Sequence, residues 1–540
     1  MALQIEKESA SSASFFDFNK EKHPFIVQKY GGTSVGKFLE PIANIVKSYL
    51  DTKRVVIVCS ARSGETKSKG TTNRLLSAAE DVRDSTSKKH IDIVHEICKD
   101  HIDAAKGYIR DPEILADLEK ELRHDCKKLQ NFLEAAQIIG EISPKSKDNI
   151  VGVGEKLSCR IVTAVLKDKG IDAKFVNLDN IVEKEFNSNN LDQGFYDYLS
   201  NRLSREVINC GNSVPVLTGF FGTVPGSLLS NIGRGYTDLC AALVAVGLNA
   251  EELQIWKEVD GIFTADPRKV PQARLLPIIT PEEAAELTYY GSEVIHPFTM
   301  KQAIRAKIPI RIKNVKNSQG HGTIIFPNIE IINGKKNNGD INNDNAIVTL
   351  PKNGHTTTSP IPRLLFENGY YYDMTRRQPT AVTIKDNIII LNIHSHSKVA
   401  SYGFLANVFV TLDRYGIVVD LISTSEVHVS MALGVEVSER DLQNAIGELR
   451  KFGSVSMQKN QAILSLVGKQ MKNMVGIAAK MFTTLSAASI NIEMISQGAS
   501  EINISCVIDE QDATKALNVI HQELLTTSPL INIGSGPWFY

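Results

Sequence analysis

The C-terminal third of the chain repeats itself, and this repeat limits the possible fold more than any other feature of the sequence. The first copy runs Gly403-Phe404-Leu405-Ala406, then Val419-Asp420-Leu421-Ile422-Ser423, then Ser425-Glu426-Val427-His428-Val429-Ser430. The second runs Gly476-Ile477-Ala478-Ala479, then Ile492-Glu493-Met494-Ile495-Ser496, then Ser500-Glu501-Ile502-Asn503-Ile504-Ser505. In each copy a strand precedes a helix that starts at glycine. An alternating strand then leads into another, ending near Leu433 or Ile508, and a second helix follows over 440–452 or 511–524. That order, β-α-β-β-α-β, is the ferredoxin-like unit. Each copy spans roughly 70 residues, a small domain. One face of so small a sheet needs a cover, so the two copies are expected to pack on one another.

Upstream of the repeat, short apolar runs alternate with helical periodicity. Residues 25–30 read as a strand entering the turn Gly31-Gly32, and 54–59 (RVVIVC) as a buried parallel strand. Similar runs recur at 173–176, 214–218 and 253–255. Such alternation predicts an α/β domain, a mostly parallel sheet covered by helices. We place it over 25–326, with a helical insert at about 88–142. The Asn-, Gly- and Lys-rich stretch that opens 327–380 reads as a linker. The repeat copies then occupy 381–460 and 461–527, between a polar leader, 1–24, and a tail, 528–540.

Composition narrows the functional classes. Sixty Lys and Arg oppose 61 Asp and Glu, a net charge of -1, which gives no support to a nucleic-acid or acidic-membrane partner. The seven cysteines include no CxxC pair, which argues against a disulfide framework or a structural metal site. No apolar run approaches the ~18 residues of a membrane helix. The leader, with Glu6, Glu8, Asp17 and Glu21, lacks the pattern of a signal peptide. The expectation is a cytoplasmic protein.

Several Gly-rich segments have the chemistry of an anion site. Gly31, four residues, then Gly36-Lys37 nearly meets the P-loop pattern, but Phe38 stands where a magnesium-holding Ser or Thr is needed. An ordinary βα turn explains these glycines, though not Lys29 at the strand end. In Gly233-Arg234-Gly235-Tyr236-Thr237-Asp238, Arg234 suits a substrate carboxylate. Asp238 suits a lysine or an amine, while either Thr237 or Asp238 equally suits a helix cap. Glu155, in Gly152-Val153-Gly154-Glu155-Lys156, reads as an acid at a helix start. In Val259-Asp260-Gly261-Ile262-Phe263-Thr264-Ala265-Asp266-Pro267-Arg268, the arginine reaches a phosphate or is simply solvated.

Taken in order, KYGGTSVG, CSAR, GTTN, GEKLS, GFFG, GRGYTD, WKEVDGIFTADPR, ELTYYGSEVIHP and the paired repeat resemble the aspartate kinases, fungal forms most of all, over about 25–525. The resemblance implies an amino-acid kinase fold followed by two ferredoxin-like ACT domains. It implies phosphorylation of the side-chain carboxylate of L-aspartate by ATP with Mg2+, giving 4-phospho-L-aspartate on the route to threonine and methionine. Lys29 matches the lysine beside the transferring phosphoryl group, and Asp238 the acid that organises it. Gly31, Gly32, Thr33 and Ser34 match the phosphate loop. Arg234 matches the clamp on the α-carboxylate, and Glu155 the acceptor of the α-amino group. Ser60, Thr72, Phe220 and Thr237 match other substrate-pocket positions. Lys257, Glu258 and Phe263 match the nucleotide stretch, and Arg268 its phosphate side.

Three positions depart from the family pattern. Glu293 stands where bacterial relatives often carry a phosphate-facing lysine, and Lys257 is expected to supply that charge. Phe263 replaces a common tyrosine, and Tyr236-Thr237 a common Gly-Ser. His296 reads as fixing the turn before Pro297 rather than moving a proton, since aspartate is already ionised near neutrality. The ACT pair implies feedback by an amino acid, with L-threonine expected. Gly403, Phe404, Leu405, Asp420, Ser425 and Glu426 match the effector positions, Asp420 meeting the effector's ammonium. Met494, Gln497 and Glu501 form the corresponding segment of the second copy. A homo-oligomer, at least a dimer, is expected through the ACT edges. Two other readings stay open: a catalytically weak ACT-type sensor, and a kinase for glutamate or a related amino acid.

Overall fold

The computed structural model describes residues 23–64, 70–186, 191–325 apart from 223, 225, 290–294 and 296, 379–395, 403–434, 438–498 apart from 470, 472 and 473, and 502–526. Nearly all of the leader and of 327–380, the tail, Glu293, Glu501 and His296 lie outside the described residues. The chain divides into two compact units, Met1–Val259 with Lys301–Gly320, and Asp260–Met300 with His321–Tyr540. Residues 260–300, expected inside the catalytic domain, thus fold with the C-terminal part.

The first unit begins β1 (Phe25–Tyr30), α1 (Gly32–Lys37), α2 (Leu39–Tyr49), β2 (Arg54–Cys59), α3 (Thr71–Asp81), α4 (Lys89–Tyr108), α5 (Pro112–Ile139) and α6 (Pro144–Asp168). It continues β3 (Ala173–Val176), α7 (Gln193–Ile208), β4 (Val214–Thr218), α8 (Leu228–Asn231), α9 (Tyr236–Gly247) and β5 (Glu252–Lys257). The remaining elements up to the linker are β6 (Ile278–Ile279), α10 (Pro281–Tyr289), α11 (Pro297–Arg305), β7 (Ile310–Asn314) and β8 (Thr323–Ile325). Strands β3-β4-β2-β1-β5-β7 lie side by side in that order, all parallel. Their β-branched cores (FIVQKY, RVVIVC) are buried along nearly their whole length, because helices cover both faces. The 88–142 stretch forms α4 and α5. Asp111 caps α5 by accepting from the Glu113 and Ile114 amides, with Pro112 in the first turn. Gly140, at φ 77°, ends it in the left-handed conformation that glycine tolerates.

In the second unit β6 and β8 pair in parallel. The repeat follows as β9 (Ala381–Ser395), α12 (Phe404–Arg414), β10 (Val419–Thr424), β11 (His428–Gly434), α13 (Glu439–Leu449), β12 (Gly453–Val467), α14 (Ile477–Ala487), β13 (Met494–Ser496), β14 (Asn503–Asp509) and α15 (Ala513–Ile520). These strands make one six-stranded antiparallel sheet, β10-β11-β9-β12-β14-β13. The copies therefore stand side by side in a shared sheet rather than face to face. The boundary expected at 460 falls inside β12, because β9 and β12 are each 15 residues long and serve both copies. Both long strands change character at an asparagine with positive φ, Asn387 at 58° and Asn460 at 59°. Before Asn387, Val382 and Ile384 pack with Leu464, Met481 and Leu517 of the second copy. After it, Leu391 and Ile393 pack with Val408, Met431 and Leu442 of the first. Both helices that open a copy start after a glycine in the left-handed region, Gly403 at 88° and Gly476 at 85°. The paired glycines of the repeat are thus a backbone requirement.

Candidate active site

In a parallel sheet, side chains that handle ligands gather at the carboxyl ends of the strands. Lys29 sits near the end of β1, and its Nζ lies 2.7 Å from Asp238 Oδ1, with both side chains largely shielded from solvent. Asp238 belongs to the first turn of α9. The partner of Asp238 is therefore the lysine, one of the two roles its sequence allowed. Lys257 ends β5, two positions after Ile255, the register partner of Lys29. Successive strand side chains alternate faces, so Lys29 and Lys257 leave the same face of the sheet.

Glu155 is not at a helix start. It lies in the middle of α6, whose cap is Ser143. Two glycines just before it, Gly152 and Gly154, permit this helix to come close. A Cβ on Gly152 would stand 2.5 Å from the Phe220 ring, and one on Gly154 3.0 Å from Ala61 Cβ. The carboxylate is consequently buried, 2% exposed, and Thr237 Oγ1 donates to Glu155 Oε1 at 2.8 Å. The other oxygen, Oε2, is buried and has no hydrogen-bond partner within bonding geometry among the described residues. Burial pushes the Glu155 carboxyl up to about 7, against the opposing pull of the Thr237 and Tyr236 side chains, the Phe220 amide and the Lys29 charge. A buried carboxylate with an unsatisfied oxygen is costly unless a cation or donor arrives.

Thr237 is held as tightly as its partner. A Cβ on Gly219 would come within 2.3 Å of Thr237 Cγ2, so only glycine lets the β4 exit lie against α9. Phe220 is buried and meets Tyr236 edge-on at 6.4 Å. Ser60 and Thr72 are partly exposed, at the exit of β2 and the start of α3. Arg234 lies in a single turn of 3-10 helix, Gly233–Gly235, and its side chain is outside the description.

Gly32 and Gly36 have a local, backbone reason to be glycine. A Cβ on Gly32 would be 2.3 Å from the Ala61 carbonyl oxygen, and one on Gly36 1.9 Å from that of Ser63. Their spacing seats α1 on the backbone that follows β2, and the Ser63 amide donates to the Gly32 carbonyl at 2.9 Å. Thr33 is partly exposed. Ser34 is buried, and its hydroxyl donates to Glu258 Oε1 at 2.6 Å. That bond ties α1 to the residue after β5.

Phe263 and Arg268 lie in the second unit. Arg268 is 88% exposed and pairs with Asp266 at 2.8 Å. At the positions expected to meet an effector, Gly403 precedes α12, Phe404 is buried in the first-copy core, and Leu405 is exposed. Asp420 is only 5% exposed, and both its oxygens lie 2.8 Å from Lys385 Nζ. Ser425 and Glu426 are exposed in the turn between β10 and β11.

One organising residue had no sequence signal. Asp148, in the polar start of α6, is buried and accepts from the Ser227 hydroxyl at 2.9 Å and from the Leu228 and Leu229 amides at 2.6 and 3.2 Å. It anchors α8, which leads directly into the Gly233–Gly235 turn. Its partners are about 80 positions away, beyond the reach of local pattern. Among the described residues no helix is long and apolar enough to cross a membrane, and no group of three His, Cys, Asp or Glu side chains converges to hold a metal.

Comparison with known proteins extends this geometry. The model of the amino acid kinase family matches residues 24–314, and an ACT domain model matches 464–524. An aspartokinase of Schizosaccharomyces pombe is 52% identical over 531 residues, covering 97% of this chain and 98% of its own. The structure of E. coli aspartokinase III with aspartate and ADP has a TM-score of 0.67 at 26% identity. The same enzyme with lysine and aspartate has a TM-score of 0.70, also at 26% identity. Each of the two covers 93% of this chain and 100% of its own.

Proposed function

The chain belongs to the amino acid kinase family and, within it, to the aspartokinases, and from that premise we propose how its residues phosphorylate aspartate. The enzyme uses ATP and catalyses the first step of the aspartate pathway. A side-chain carboxylate oxygen of L-aspartate attacks the γ-phosphorus. The bond to the β–γ bridging oxygen breaks, its electron pair leaves with ADP, and 4-phospho-L-aspartate remains. Both reactants are anions, so the work is positioning and charge neutralisation.

Lys29, held by Asp238, offsets the charge that develops on the phosphoryl oxygens. Glu155 takes the α-ammonium of aspartate at Oε2, the observation that carries this reading, since a buried, unsatisfied carboxylate oxygen matches a substrate cation. Arg234 takes the α-carboxylate, so opposite charges receive opposite ends of a zwitterion. Ser60, Thr72, Phe220 and Thr237 shape the remaining pocket. Gly31, Gly32, Thr33 and Ser34 face the phosphates, Glu258 and Phe263 the nucleoside, and Arg268 the phosphate side. Lys257 supplies the charge absent at Glu293, in keeping with its place on the face that Lys29 occupies. Mg2+ arrives on the phosphates of ATP and needs few protein ligands.

Catalysis belongs to 25–326 and regulation to 381–527. The effector is L-threonine, bound at the first ACT copy with its ammonium on Asp420. Leu405, Phe409, Val418 and Ile422 are exposed beside the sheet edge at β10, which supports pairing of two chains there. The test is a hydroxylamine trap with MgATP, comparing aspartate with glutamate, each with and without threonine or lysine. Aspartyl hydroxamate formed from aspartate alone, and suppressed by threonine, is expected. Equal product from glutamate overturns the substrate, and no product from either leaves only a sensor.

A further inference from the structure

The stretch between β5 and β6 is built into the second ACT copy. Phe263 bridges to Leu275, closing a loop that carries Thr264 at its buried base and Arg268 at its exposed tip. Ala265 and Val270 pack into one core with Met481, Leu517 and Leu524. The Val382 amide donates to the Thr264 carbonyl at 2.8 Å, and the Arg274 guanidinium donates to the Leu525 carbonyl at 2.7 Å. Asn518 Nδ2 donates to the Lys269 carbonyl at 3.0 Å, and Lys269 pairs with Asp386 at 2.6 Å.

At the centre is a buried side-chain pair, Thr264 Oγ1 and His521 Nε2, 2.9 Å apart. Thr264 Oγ1 also accepts the Arg274 amide at 2.9 Å, so the hydroxyl joins the imidazole to the loop backbone, and the tautomer of His521 sets which of the two donates. His521 is 1% exposed, and its buried Nδ1 has no hydrogen-bond partner among the described residues. It also opens a π-helical turn, His521–Leu525, at the end of α15. Such turns are rare and costly in regular packing, and they recur where a side chain must be re-aimed. Here the widened turn brings Nε2 to Thr264 and the Leu525 carbonyl to Arg274. Burial and the nearby Arg274 charge push the His521 imidazole down, which keeps it neutral and able to accept.

We propose that His521 is a positioning residue for the nucleotide. Through Thr264 it sets the loop that carries Phe263 and Arg268, so the second ACT copy governs the affinity for ATP and not that for aspartate. This rests on the reading that Phe263 and Arg268 face the nucleotide.

The full-length enzyme is compared with Thr264→Val, His521→Leu, His521→Gln and the Thr264→Val/His521→Leu double variant, with Arg268→Ala as the control on the loop. KM for ATP and for aspartate are measured separately in the hydroxamate assay. Loss of the buried bond should raise KM for ATP by about fivefold. KM for aspartate should stay within about twofold, the double variant should match the singles, and His521→Gln should recover most of the loss. Thr264→Val is nearly isosteric and carries the test should His521→Leu fail to fold. If Arg268→Ala raises KM for ATP while Thr264→Val and His521→Leu do not, or if they raise both KM values in parallel, the positioning role is wrong and the nucleotide reading stands. If Arg268→Ala leaves KM for ATP unchanged, the nucleotide reading fails and this proposal fails with it.

Discussion

Aspartate binding should release a proton from Glu155. In the free enzyme this carboxyl titrates at about 7, raised chiefly by burial from an ordinary value of 4.5. At pH 7 about half of the molecules therefore carry the proton. An ammonium arriving at the unsatisfied Oε2 favours the carboxylate, so binding expels about 0.5 proton per site at pH 7, ~0.9 at pH 6 and ~0.1 at pH 8. Titration calorimetry of aspartate into enzyme, repeated in buffers of different ionisation enthalpy, measures this number as a slope. Glu155→Gln, similar in shape and unable to titrate, should abolish it and weaken aspartate binding. A heat that is independent of buffer at pH 6 and 7 would refute the assignment of Glu155 to the amine. The same shift has a stability consequence of fixed sign. Between pH 4.5 and 7 the folded state binds more protons at Glu155 than the unfolded chain does, so stability from this group is full below 4.5 and declines as pH rises through 7. Glu155→Gln should remove that slope from a series of melting curves.

Lys29→Met should lower kcat by about 10²- to 10³-fold with a smaller change in KM for aspartate, measured by steady-state kinetics. Gly219→Ala places a methyl group on Thr237 and should raise KM for aspartate severalfold by parting Thr237 from Glu155; an unchanged KM would show that this contact does not matter. Asp148→Ala leaves the Ser227 hydroxyl and two amides without their acceptor and should cost about 1–3 kcal/mol, read as a lower denaturation midpoint. Asp420→Ala should weaken inhibition by threonine at least tenfold while leaving uninhibited turnover near normal, and inhibition at the original concentration would show the effector site to be misplaced.

Much of this protein is local and so was legible in the sequence. Alternation of β-branched runs with helical periodicity determines a parallel sheet, and the twin glycines at 403 and 476 mark the repeat because both helix starts need positive φ. The chemical inventory is legible too, since Lys29, Glu155, Arg234 and Asp238 stand in short motifs of recognisable order. What those groups do to one another is a matter of distance and burial, and only the tertiary structure decided it. It placed Glu155 in mid-helix and left one of its oxygens unsatisfied, because Gly152 and Gly154 allow α6 to approach where water cannot follow. It gave Asp238 to Lys29 and Asp420 to Lys385, pairings across 209 and 35 positions that no periodicity encodes. It spent Gly32 and Gly36 on backbone contact, and it merged the two copies of the repeat, because strands long enough to serve both cores gain pairing that two separate sheets would forgo.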